Sequence, residues 1–134
     1  MQLTLAEIFT EFKSKNTKEQ RKQVLTKYKS QLQPIFNIVF SSIQFHEQEF
    51  PKNYIPSDNL PGISYSTIHN ELKRLYLFQS ESNLSPEKRN LLLLQVLESL
   101  DNEEANIYFN IIKKDLKVPY LTPKLINETY GTNL

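Results

Sequence analysis

What most constrains this chain is helix-start grammar, repeated along its length. A capping residue stands before an apolar-periodic run at Thr4 (with Glu7), Thr17 (with Gln20), Ser85 (with Pro86), Asp101 (with Glu104) and Thr122 (with Pro123). Such a hydroxyl or carboxylate accepts from an orphaned first-turn N–H, and a Glu or Gln three residues on can return the bond. Proline is preorganised for the first helical position. Behind the caps, Leu5, Ile8, Phe9 and Phe12 recur at helical spacing, as do Val24, Leu25 and Tyr28. Leu32, Ile35, Phe36, Val39, Phe40 and Ile43 mark the core helix, with Pro34 expected in its first turn, where proline is tolerated. A strand over Ile35–Phe40 is the competing assignment, and Pro34 argues against it.

Further on, a helix is expected from Ser64 or Ser66 to about Gln79, carrying Ile68, Leu72, Leu75, Tyr76 and Phe78. Helices opening at Ser85-Pro86, Asp101 and Thr122-Pro123 follow, the last closed by Gly131. Between them the pattern lapses over about 45–63, where Pro51, Pro56 and Pro61 make a long irregular loop. Phe45, Phe50, Tyr54 and Ile55 are expected to anchor that loop against the core. The fold class is therefore all-α: a compact single-domain bundle of about seven helices over 1–134, with no sheet.

Composition narrows the function classes. A chain of 134 residues is long enough for one proper core. Its formal net charge of +1 carries no bulk basic excess, so any polyanion site must come from local clustering. With no cysteine, disulfides and thiolate metal sites are excluded. No apolar run approaches the roughly 20 residues of a membrane span. The N-terminus also lacks signal-peptide order, so a soluble intracellular protein is expected. Enzymatic chemistry finds no constellation. His46-Glu47-Gln48-Glu49 begins like a zinc helix, but Phe50 stands where the second histidine belongs. His69 has no ligand partner in the pattern, and Glu103-Glu104 sits in a first turn that favours acids for the dipole alone. Gly62 and Gly131 lie too far apart for a phosphate loop. No catalytic residue, cofactor or metal is expected, and the protein reads as non-enzymatic.

The basic residues are more informative. Lys113, Lys114 and Lys117 gather where one helix ends, and the helix opened by Thr122 and Pro123 points its N-terminal amides and dipole at the same turn, beside Lys124. Lys18, Lys22 and Lys29, if carried on one helix, project within about 40° of each other at roughly 100° per residue. Lys88 with Arg89 forms a third group. These groups suit phosphates. The competing reading is a solvated outer face, diluted by Glu7, Glu11 and Glu19, and from charge alone that reading is the stronger.

A resemblance shifts the balance. Ile112, Lys114, Asp115 and Leu116, with Ile126 and Tyr130 after them, resemble the end of the N-terminal DNA-binding domain of ATP-dependent DNA ligases. There an Ile-x-Lys-Asp-Leu-like helix end leads through a turn into a short helix ending at an aromatic. The early Lys22-Gln23-Val24-Leu25 run and the Pro-containing mid-chain loop extend the likeness weakly, closest to the ligase of T-even phages. Leu5–Phe9, Leu75–Phe78 and Glu104–Asn106 are more similar still to small proteins of T-even-like marine phages, a group without an assigned activity. The ligase turn usually reads Gly-Val-Ser or Gly-Ala-Ser. This chain has Val118-Pro119-Tyr120-Leu121, whose proline offers no amide.

The resemblance implies the clamp that grips duplex DNA without the catalytic engine, since no Lys-x-Asp-Gly motif is present. It implies a phage-type accessory module in the cytoplasm of an infected bacterium. That module would grip duplex backbone non-specifically through Lys113, Lys114, Lys117, Thr122, Lys124, Lys18, Lys22 and Lys29. The alternative keeps the fold without DNA binding, as a virion-associated protein or one that binds a phage or host protein. Neither reading involves a membrane.

Overall fold

Each of these capping residues opens a helix. In the computed structural model, which describes residues 3–56 and 66–134, α1 (Leu5–Lys13) begins with a complete capping box. The Thr4 amide donates to Glu7 Oε1 at 2.9 Å and the Glu7 amide donates to Thr4 Oγ1 at 3.2 Å. Helix α2 (Lys18–Lys27) is capped by Thr17, but Gln20 turns its carboxamide to the Asn16 amide at 3.1 Å instead of closing the box.

Only Tyr28, at φ −111° and ψ 25°, separates α2 from α3 (Lys29–Val39). Because α3 starts this early, Pro34 falls in its interior and not in its first turn, and Ile43 lies beyond its end. An interior proline deletes one backbone hydrogen bond and costs about 3 kcal/mol. Burial of Leu32, Ile35, Phe36 and Val39 on the opposite face offsets that cost, while the ring of Pro34 stays exposed.

The next segment departs further from expectation. Thr67 caps a single α-turn, α4 (Ile68–Glu71), and the chain continues as a 3₁₀ helix over Leu72–Phe78. Leu72, Leu75 and Phe78 recur every three residues, the period of a 3₁₀ turn, and Leu75 and Phe78 are buried. Tyr76, expected on the apolar face, is 64% exposed. Ser64, along with Asp58, Asn59, Pro61 and Gly62 of the loop, lies outside the described residues.

Helices α5 (Pro86–Ser99), α6 (Asn102–Ile112) and α7 (Pro123–Tyr130) complete the bundle. Ser85, Asp101 and Thr122 cap them as their positions require. At the far end of α7, Gly131 takes φ +68°, a left-handed closure that glycine adopts at little cost. Among the described residues there are seven α-helices, one 3₁₀ helix and no sheet.

One apolar cluster joins α1, α2, α3, α5, α6 and α7 with the 3₁₀ segment. Helix α6 is its axis, packing against α5, α1, α3 and α4, while α7 rides on α2. Tyr108 of α6 is fully buried, and its hydroxyl donates to the Glu71 carbonyl at 2.9 Å. The described part of the long loop packs down as its aromatics foretold. The His46 amide bonds the Phe78 carbonyl and the Ser80 amide the Gln44 carbonyl, both at 2.9 Å. The Phe50 ring meets Tyr54 and Phe109 edge-on at 5.0 and 5.2 Å. The Ile55 side chain is the exception, at 73% exposed, although its amide reaches the Glu98 carboxylate. His46 Nε2 lies 3.1 Å from the Ser82 carbonyl, a structural contact.

Burial also pushes the phenols of Tyr108 and Tyr130 well above the usual tyrosine range. As pH rises through about 10 the unfolded chain releases phenolic protons that the fold retains, so stability must fall with further rise. Tyr108 alone contributes a slope that grows toward about 1.4 kcal/mol per pH unit once the unfolded phenol is fully ionised, above about pH 11. Urea denaturation at stepped alkaline pH should show this decline, made shallower by Tyr108→Phe.

Candidate nucleic-acid interface

The C-terminus of α6 explains why the lysines there are not equivalent. Lys113 is the C-cap, and Lys114 takes φ +56° at the following position. The Lys114 amide donates to the Ile111 carbonyl at 2.9 Å and the Asp115 amide to the Asn110 carbonyl at 3.0 Å. That is a Schellman closure, built on a lysine where glycine is usual. Its side chain turns inward, donating to the Ile43 carbonyl at 2.6 Å and to the Ser41 carbonyl, just past the end of α3. Desolvation there lowers the pKa of the ammonium. Lys114 is thus a strut between α6 and the end of α3, and it drops out of the set facing solvent.

Its neighbours do face solvent. Lys113 is exposed, its ammonium 5.3 Å from the Phe109 ring centroid. Lys117 is exposed at φ +56°, with its amide bonded to Asp115 Oδ1 at 3.0 Å. Tyr120 is the third non-glycine residue in this connection with positive φ, at +67°. Left-handed backbone costs roughly 1 kcal/mol at each such residue. The strained turn delivers Thr122 to the N-cap of α7, where its Oγ1 accepts from the Leu125 amide at 3.2 Å. Pro123 has no N–H, so the amide of Lys124 is the first-turn donor left without a capping partner.

Packing of α7 on α2 then joins the two lysine groups that lie far apart in sequence. A cavity of about 270 Å³ opens between them, lined by Lys18, Arg21, Tyr120, Thr122, Lys124, Leu125 and Glu128. The Arg21 guanidinium lies 4.0 Å over the Tyr120 ring centroid, steadied by a 3.4 Å bond from its Nη2 to the Lys15 carbonyl. Glu128 sits among the cations, 2.7 Å from Lys18 Nζ and 3.4 Å from Lys22 Nζ. The hydrogen bond from Lys18 holds its carboxyl below the ordinary range. A second cavity of about 310 Å³ adjoins the same turn, between Phe40 and the segment carrying Lys117, Pro119 and Leu121.

The single-helix geometry expected for Lys18, Lys22 and Lys29 is corrected by the break at Tyr28, which puts Lys29 on α3. All three nevertheless turn toward α7. Lys18 and Lys22 meet Glu128, and the Lys29 ammonium lies 5.4 Å from the Tyr130 ring centroid. The Lys88-Arg89 pair does not form a surface group, because Arg89 is buried with its Nη1 on the Leu84 carbonyl at 2.6 Å. Glu104, read as an ordinary first-turn acid, is also buried. Its Oε2 accepts from the Ile68 amide at 3.1 Å, and burial raises its pKa. His69 is exposed, with Nε2 2.8 Å from the Gln31 carbonyl.

Arg21 and Tyr120 are the site residues that pattern reading missed. Arg21 lies three residues after Lys18, a signal in plain view. Tyr120 had none, because its role depends on the positive φ that follows Pro119. Among the described residues no group of three or more His, Cys, Asp or Glu side chains is placed to hold a metal, and no helix is long and apolar enough to cross a membrane. Comparison of the sequence with protein-family models and with curated proteins finds no match.

Proposed function

We propose that this protein is a non-catalytic module that grips the backbone of duplex DNA, in the manner implied by its likeness to the ligase DNA-binding domain. The observation that carries this reading is the α2–α7 surface. There Lys18, Arg21 and Lys124 line one cavity with the α7 N-cap Thr122, and Glu128 of the same cavity lies 2.7 Å from Lys18 and 3.4 Å from Lys22. Lys117 and Lys113 extend the basic margin along the preceding turn, and Lys29 extends it toward the other end of α7. Contacts of this kind fix a protein on phosphates without reading sequence. A phage-type accessory role in replication or repair follows from the resemblance. The competing reading is docking to a phage or host protein. It is favoured by the ion pairs that partly neutralise the lysines and by Tyr76 and Leu91, 64% and 54% exposed, elsewhere on the surface.

Fluorescence anisotropy with nicked and intact duplexes, at low and near-physiological salt, tests the grip. Lys117 and Lys124 are both exposed and project from the proposed margin. The double variant Lys117→Ala, Lys124→Ala should weaken binding and reduce the magnitude of the salt slope by about 1.8, at roughly 0.9 for each phosphate left unneutralised. Absence of binding at tens of micromolar protein, even at low salt, would sink the DNA reading and leave the protein-docking one.

A further inference from the structure

Aromatic side chains on globular surfaces usually lay at least one face against the protein. Tyr120 lays one ring face against Arg21, yet is 68% exposed and occupies a left-handed backbone conformation that bulky residues seldom adopt. Strain of this kind persists where the surrounding structure over-determines it, and it concentrates at ligand clamps. The surroundings here are specific. The Arg21 guanidinium lies 4.0 Å over the ring centroid, and Arg21 Nη2 is tied to the Lys15 carbonyl. Beside this pair the cavity is lined by the buried Leu125, by Lys124, and by Lys18 with its partner Glu128 at 2.7 Å.

A stacked Tyr–Arg pair presents π-surface together with positive charge, and Lys124 beside it presents a phosphate partner. The ligand that combines an accessible π-face with an adjacent anion is a nucleotide whose base is unpaired, because a base within a duplex has both faces covered by its neighbours. We propose that Tyr120 and Arg21 form a stacking platform for an unpaired nucleobase, with Lys124 taking a flanking phosphate. This rests on the nucleic-acid reading of the surface and adds to it a preference for single-stranded or frayed segments over uniform duplex. Recognition of this type tolerates any base, since every base has a π-face.

The decisive comparison is between a labelled oligo-dT and an abasic oligomer of the same length, which carries the same phosphates and no bases. Anisotropy should show the oligo-dT bound about fivefold or more tighter, the low end of what one stacked base contributes. Tyr120→Ala should abolish that difference while leaving abasic binding intact, and Tyr120→Phe should keep it. Because Tyr120 is exposed, these variants should fold, which circular dichroism would verify. Equal, salt-sensitive binding of both oligomers would overturn the platform and leave the backbone grip standing. A base preference that survives Tyr120→Ala would overturn the platform as well. Binding of neither these oligomers nor duplex at low salt would overturn both proposals.

Discussion

Lys114→Met should destabilise the protein by about 2 kcal/mol, the scale for losing hydrogen bonds made by a charged donor. The ammonium satisfies the carbonyls of Ser41 and Ile43 just beyond α3, from a residue that also closes α6. Methionine has similar length and no donor, so both carbonyls lose this partner within a half-buried site. For a chain of this size the midpoint of thermal unfolding should fall by roughly 6–10 °C. A second substitution separates the side chain from the backbone. Lys114→Gly also removes the ammonium but relieves the positive φ, recovering up to about 1 kcal/mol relative to methionine. Lys117→Gly relieves the same backbone conformation without touching the strut and should be stabilising by a similar amount. If Lys114→Met unfolds at the same urea midpoint as the parent, the strut is not holding α6 to α3. The same geometry makes Lys114 a poor residue for testing DNA contact, since its loss weakens the fold.

The second large effect concerns binding. Glu128→Gln should strengthen duplex binding roughly tenfold or more at low salt, because it removes an acid from the basic surface and frees two lysines together. Lys18 and Lys22 both point at that carboxylate, so on the proposed DNA reading it competes with phosphate for them. Engaging two more phosphates would steepen the salt slope by about 1.8. The pH dependence follows with a definite sign. The Glu128 pKa is depressed in the fold, so its contribution to stability is present above the ordinary glutamate pKa of about 4.3 and is lost as pH falls through the lower folded value. The same protonation releases the lysines, so parent affinity should climb toward that of Glu128→Gln in acid. Titrations from pH 7 downward at fixed ionic strength would show the two curves converging. Parallel curves would mean that Glu128 does not compete with the ligand.

Much of the architecture was legible in the chain because capping is local chemistry. Thr4, Thr17, Ser85, Asp101 and Thr122 each need only the amide three residues ahead, and each has it. The buried face of α1, Leu5, Ile8, Phe9 and Phe12, was equally readable from spacing. The errors came where local rules competed with packing. Leu72, Leu75 and Phe78 fit a three-residue period as well as an α-helical stripe, and burial of Leu75 and Phe78 selected the 3₁₀ form. The propensity of Pro34 alone points to a first-turn position, whereas the helix start is set upstream at Tyr28.

The candidate site divides along the same line. Sequence alone determined which residues carry charge and where α7 begins, since both depend on residue identity and near neighbours. Only the tertiary structure decided which of those charges face outward. Docking of α7 on α2 brought Lys18 and Lys124 to one cavity across a long stretch of chain. It also gave Lys18 and Lys22 a shared carboxylate partner. Lys113 and Lys114 are adjacent in sequence, yet one ammonium lies over a ring in solvent and the other holds two carbonyls. A single left-handed φ, stabilised by contacts more than seventy residues away in sequence, separates their roles.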